Sequence, residues 1–127
     1  MSYEVRLIYD DEAVEVPMHS EGGTRRVTFS EDGKTKAIIG SERAELNITF
    51  NYTVFFQEHL GKDGIFYLNG KKAEETINML EKVVSALEGF NPDEDYWKPT
   101  AGNVAKTLST LLEWANLYPY ATWNVLS

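Results

Sequence analysis

Apolar residues recur at every second position from the start of the chain to about residue 56, and turn-forming residues interrupt them at short intervals. Side chains that alternate with period two point to opposite faces of a sheet, so this half of the chain predicts strands. Val5, Leu7 and Tyr9 alternate with Glu4, Arg6 and Ile8. Asp10-Asp11 then turns the chain into Ala13 to Met18, where Val14, Val16 and Met18 share a face. These two segments predict a hairpin. Pro17 lacks a backbone donor, which confines the second strand to an edge or ends its pairing there. Glu21-Gly22-Gly23 predicts the next turn and Arg25 to Phe29 the next strand. Glu31-Asp32-Gly33-Lys34 turns the chain again into Lys36 to Ile39. The longest strand is expected last, with Leu46, Ile48, Phe50, Tyr52 and Val54 on one face and Asn47, Thr49, Asn51 and Thr53 on the other.

After residue 70 the period changes to that of a helix. Ala73, Ile77, Leu80, Val84 and Leu87 fall in one stripe. Gly89 supplies the left-handed residue that ends such a helix, with Phe90 expected to pack back beneath it. Asn91-Pro92-Asp93-Glu94-Asp95 predicts a loop. A second helix is expected to start at Pro99-Thr100, with Thr100 capping the amide of Asn103. It continues through Val104, Leu108, Leu111, Leu112 and Ala115 to about Leu117, and Pro119 stops it. Thr122-Trp123-Asn124-Val125 reads as a short closing strand.

Strands followed by helices, without alternation, argue for an α+β domain. The expectation is an N-terminal antiparallel sheet of about five strands with two C-terminal helices packed on one face. Those helices are expected to bury Ile77, Leu80, Val84, Leu108, Leu111 and Leu112. The length of 127 residues and the absence of an internal repeat or long linker fit a single domain, 1–127. With 43% hydrophobic residues, the chain has material for a core. It contains no cysteine, which excludes disulfides and thiolate metal sites.

Charge narrows the partners. The formal net charge of -8 opposes direct nucleic-acid binding, which draws on Lys and Arg displacing counterions from phosphates. An acidic surface suits a basic protein partner instead. The first residues, Met1-Ser2-Tyr3-Glu4, lack the succession of a signal peptide. The longest apolar runs are far short of a membrane span, so the expected location is cytoplasmic, with no membrane partner.

Glu58-His59-Leu60-Gly61, Asp95-Tyr96-Trp97-x-Pro99-Thr100-x-Gly102-Asn103, Leu111-Leu112-x-Trp114-Ala115 and Trp123-x-Val125 form a set of motifs within Asn51 to Val125, about the last three fifths of the chain. In these motifs the chain resembles a group of small uncharacterised proteins from bacteriophages and bacteria. The resemblance implies a bacterial or phage-infected cytoplasm and a small accessory or host-defence-blocking protein. It implies no activity. The N-terminal strands take no part in it.

Tyr96 to Asn103 holds the most unusual chemistry, because two large aromatics, a capping residue and a glycine meet on the first turn of a helix. Unpaired amides and partial positive charge there suit a phosphate or carboxylate. Gly102 is costly within a helix and would allow close approach of a ligand to the backbone. A simpler reading makes Tyr96 and Trp97 core aromatics, Thr100 a cap, and Gly102 a point of tight packing. Glu58 and His59 are expected at the end of the long strand, where a rigid support presents binding groups. Acid-base work by His59 needs a partner that sequence does not supply, and His19, beside a Gly-Gly turn, is expected to be solvated.

Asp10-Asp11-Glu12 and Asp93-Glu94-Asp95 are hard-oxygen clusters without the spacing of a calcium loop, so no metal is expected. The nucleophile elbow, the phosphate-binding loop and the dinucleotide glycine pattern are all missing from the sequence, and neither cofactor nor catalytic residue is assigned. The leading expectation is a non-enzymatic binding protein. Its small nucleotide-like ligand would sit among Tyr96, Trp97, Thr100, Gly102, Asn103, Tyr52, Phe56, Glu58 and His59, since aromatic faces stack on any base. The alternative is an acidic interaction or inhibitor module docking a basic protein, and an enzyme comes third.

Overall fold

The computed structural model describes residues 2–19, 26–29, 36–39, 41–87, 89–90 and 98–127, with 26–29 and 36–39 described in their backbone. Strand β1 (Ser2–Tyr9) forms the axis of an antiparallel sheet. Along one edge it pairs with β8 (Thr122–Leu126), and along the other with β7 (Glu45–Thr49) and then with β2 (Glu12–Ala13). Val5 stands opposite both Leu46 and Val125, and Leu7 opposite Trp123. All five are buried, so the period-two pattern of β1 does fix a core face. The other face carries Glu4, Arg6 and Ile8, opposite Asn47, Glu45 and Ala13 on one side and Leu126, Asn124 and Thr122 on the other.

The β1–β2 hairpin closes through Asp10 and Asp11, whose φ angles are 58° and 66°. Two left-handed residues in succession match the right-handed twist of the strands, and Asp tolerates that conformation better than most residues. At Leu7 the sheet branches. The Leu7 amide donates to Ala44 O, Leu7 O accepts from the Val14 amide, and the Ala44 amide donates to Val14 O. Beyond this junction β3 (Glu15–His19) pairs with β6 (Ser41–Arg43) as a separate ribbon. Its register shifts between Glu15 and His19, and Pro17, which cannot donate to a ladder, stands inside that irregularity. Strands β4 (Arg26–Phe29) and β5 (Lys36–Ile39) form another antiparallel pair. The turns expected at Glu21-Gly22-Gly23 and Glu31-Asp32-Gly33-Lys34 lie outside the described residues.

One expectation is corrected after Thr49. The long strand stops there, and a 3₁₀ turn (Phe50–Tyr52) leads into helix α1 (Thr53–Leu60). Thr49 causes the break: its side-chain oxygen accepts the Asn51 amide at 3.1 Å and caps the turn. Tyr52, Phe56 and Leu60 are buried at spacings of four, which suit a helix stripe as well as a period of two. Val54, expected on the buried side of a strand, is 63% exposed.

Helices α2 (Ala73–Ala86) and α3 (Ala101–Leu117) pack against each other over the buried sheet face. Leu80, Leu108 and Leu111 are fully buried, while Ile77, Val84 and Leu112 pack half-buried at the margin. Gly89 is left-handed as expected, with φ 93°. Phe90, however, is 61% exposed and does not pack back beneath the helix. The Asn91 to Asp95 loop is outside the described residues. Thr100 caps α3 by accepting the Asn103 amide at 3.2 Å. The architecture is α+β, with the closing strand beside the middle of β1. Beyond β8 the edge is covered: Gly70 donates to Trp123 O, Trp123 donates to Lys71 O, and Asn69 Oδ1 accepts the Val125 amide, each at 2.9 Å.

Candidate functional site

Of the residues expected to form a ligand pocket, Tyr52, Phe56, Glu58, His59, Thr100, Gly102 and Asn103 are described. Tyr52 and Phe56 are 0% and 1% exposed and pack edge to face with centroids 6.2 Å apart within the hydrophobic core. Glu58 and His59 ride on α1 rather than at a strand end, with Glu58 exposed and His59 half-buried. Thr100 holds the Asn103 amide, and the buried Asn103 side chain donates through Nδ2 to Lys98 O at 3.0 Å. These contacts stiffen the start of α3, where Gly102 is also buried. Tyr96, Trp97, Asp93, Glu94 and Asp95 lie outside the described residues.

His19 also departs from expectation. The pairing of β3 with β6 carries it onto α3, where its ring centroid is 5.0 Å from that of Trp114 and Nε2 lies 2.9 Å from Arg43 O. It is half-buried rather than solvated. Among the described residues, no three His, Cys, Asp or Glu side chains converge to hold a metal ion. No helix among them is long and apolar enough to cross a membrane.

What the fold does present to solvent is a mixed aromatic and acidic corner at the end of β1. Tyr9 shares the parity of Val5 and Leu7, but β1 runs past the core before it turns, and Tyr9 is left 56% exposed. Its ring meets Tyr120, itself 51% exposed, edge to face at 4.9 Å and 78°. Tyr118 joins from 6.1 Å at 82° and is anchored where its hydroxyl donates to Glu15 O at 2.5 Å. The aromatic corner therefore draws on both ends of the chain: β1 supplies Tyr9, and the turn after α3 supplies Tyr118 and Tyr120.

Next along the chain comes the Asp10-Asp11 turn. Asp11 and Glu12 line an open cleft of about 330 Å³ with Arg6, Arg43 and Glu45, with Ile8 and Ala13 as its apolar lining. Both guanidiniums have partners within the chain. Arg6 donates through Nε and Nη2 to Glu4 Oε1 at 2.9 and 2.5 Å, and Arg43 donates through Nη1 to Ala13 O at 3.2 Å. Among the described residues no ion pair holds Asp11, Glu12 or Glu45. Arg6 is thus neutralised by Glu4, whereas Arg43, bonded to a neutral carbonyl, keeps its charge among the carboxylates of the cleft.

The sequence pattern put Tyr9 on one side of the first strand with Val5 and Leu7, and did not single out Tyr118 or Tyr120. The available signal was two tyrosines flanking Pro119, the residue that stops α3, since a helix stop puts its neighbours in a surface turn. Comparison with protein-family models, with curated proteins and with solved structures found no match.

Proposed function

We propose that this protein is a non-enzymatic interaction module of the cytoplasm, of a blocking or accessory kind, whose acidic surface docks a basic protein partner. The observation that carries the reading is the exposed Tyr9–Tyr120 pair directly before an acidic turn of Asp10, Asp11 and Glu12. Exposed rings offer contact area at low entropic cost, and carboxylates without ion-pair partners complement Lys and Arg. The net charge of -8 adds long-range attraction for the same partners. A small nucleotide-like ligand at the start of α3 has less support, because Tyr52 and Phe56 are enclosed and Thr100 and Asn103 bond locally.

A lysine-rich peptide, capped at both ends, is a suitable probe. Its association should slow steeply between low salt and physiological ionic strength, where exposed charges are screened over about 8 Å. Asp10→Asn, Asp11→Asn and Glu12→Gln together should slow association several-fold more than Glu74→Gln, Glu81→Gln and Glu113→Gln, which change the net charge equally. Asn keeps the left-handed turn while removing charge. Equal slowing by the two triple variants would show that net charge alone attracts the peptide, and the docking reading would fail.

A further inference from the structure

We infer that the Tyr9–Tyr120 corner is a seat for an arginine side chain of the partner, with the guanidinium stacked on a tyrosine face and the neighbouring acidic turn attracting its charge. This rests on the docking function proposed above and names the group that docks. In an edge-to-face pair, one ring directs its edge at the other and keeps its own two faces clear of that partner. The 78° angle of Tyr9 against Tyr120, and the 82° angle of Tyr118 against Tyr120, are of this kind. More than half of Tyr9 and of Tyr120 is open to solvent, so a planar group can reach a face. The Tyr118 hydroxyl, which donates to Glu15 O, fixes the third ring beside Tyr120.

Guanidinium suits this seat better than ammonium. It is planar, stacks on aromatic faces and sheds water more easily, while lysine is a compact and strongly hydrated point charge. Charge complementarity selects a cation over a neutral apolar group, since Asp10 follows Tyr9 directly and Glu12 stands opposite Tyr9 in the pairing of β1 with β2.

The test uses two capped peptides of equal length and charge, with Gly-Ser spacers, one carrying arginines and the other lysines at the same positions. Wild-type protein should bind the arginine peptide about two- to fivefold more tightly, the range expected of a cation–π contact at an exposed site. Tyr9→Leu with Tyr120→Leu should erase that preference and leave lysine-peptide binding unchanged. Tyr9→Phe with Tyr120→Phe should keep the preference, because the faces remain. Both positions are exposed, and unchanged circular dichroism and melting would verify the fold. If both peptides bind wild type alike, or the leucine variant keeps the preference, the arginine seat is wrong while the acidic docking function stands. If neither peptide binds wild type, the docking function falls and this inference with it.

Discussion

Trp123 carries an indole N–H into the core, where it donates to the Thr76 hydroxyl at 2.9 Å, and that hydroxyl donates in turn to Ala73 O at 2.8 Å. Both residues are buried, so the chain of bonds ties the closing strand to α2 where water cannot substitute. Thr76→Val keeps the shape and removes the acceptor, which leaves the indole N–H orphaned. It should cost about 1–3 kcal/mol in a denaturant titration. A loss below about 0.5 kcal/mol would mean that the indole finds another partner. Nothing in the local pattern around Thr76 announced this role, because a threonine inside a helix reads as a weak helix former until its partner from far along the chain is in place. Thr100 is the contrary case. Its cap was legible from sequence, since the bond it makes is to an amide three residues on.

At the scale of elements, periodicity was informative wherever one period alone fitted. The stripe of α2 places Leu80 at 0% exposure but Ile77 only half-buried, so the two leaves of the same stripe are not equivalent. Leu80→Ala should destabilise by about 2–5 kcal/mol through lost transfer energy and a cavity. Ile77→Ala should cost clearly less, and equal losses in chemical denaturation would contradict this placement. Helix α1 escaped detection because Tyr52, Phe56 and Leu60 satisfy both periods, and because the alternation of Leu46 and Ile48 runs into it without a glycine or proline. The break came from a hydroxyl, that of Thr49. With it Glu58 and His59 fall on a helix rather than at a strand end, and Tyr52 and Phe56 are buried in the core.

For the molecule as a whole, the last strand is a keystone rather than an appendage. β8 pairs along β1, buries Trp123 and Val125, and is itself bonded on its outer edge by residues 69–71. Deleting residues 122–127 should therefore abolish cooperative unfolding of the entire domain, rather than fray one edge of it. Loss of the sigmoidal melting transition, monitored by circular dichroism, would bear this out, and a truncated protein that melts cooperatively near the wild-type temperature would refute it. Strand pairing between the first and last segments also builds the Tyr9–Tyr118–Tyr120 corner, so the same truncation point marks where core and candidate surface depend on each other.

The sequence by itself determined the class of fold, the faces of β1, α2 and α3, the turn at Asp10-Asp11 and the Thr100 cap. Each depends on interactions among residues within one or two turns of one another, and such interactions leave a period or a residue type behind them. Tertiary structure alone decided that β8 lies beside β1, that β3 leaves the sheet to pair with β6, that His19 rests on Trp114, and that Tyr9 emerges beside Tyr120 instead of entering the core. Those outcomes turn on where an element ends relative to its neighbours. A residue of the right parity is buried only if another layer extends far enough to cover it, and that reach is a property of the assembled elements, not of any one of them.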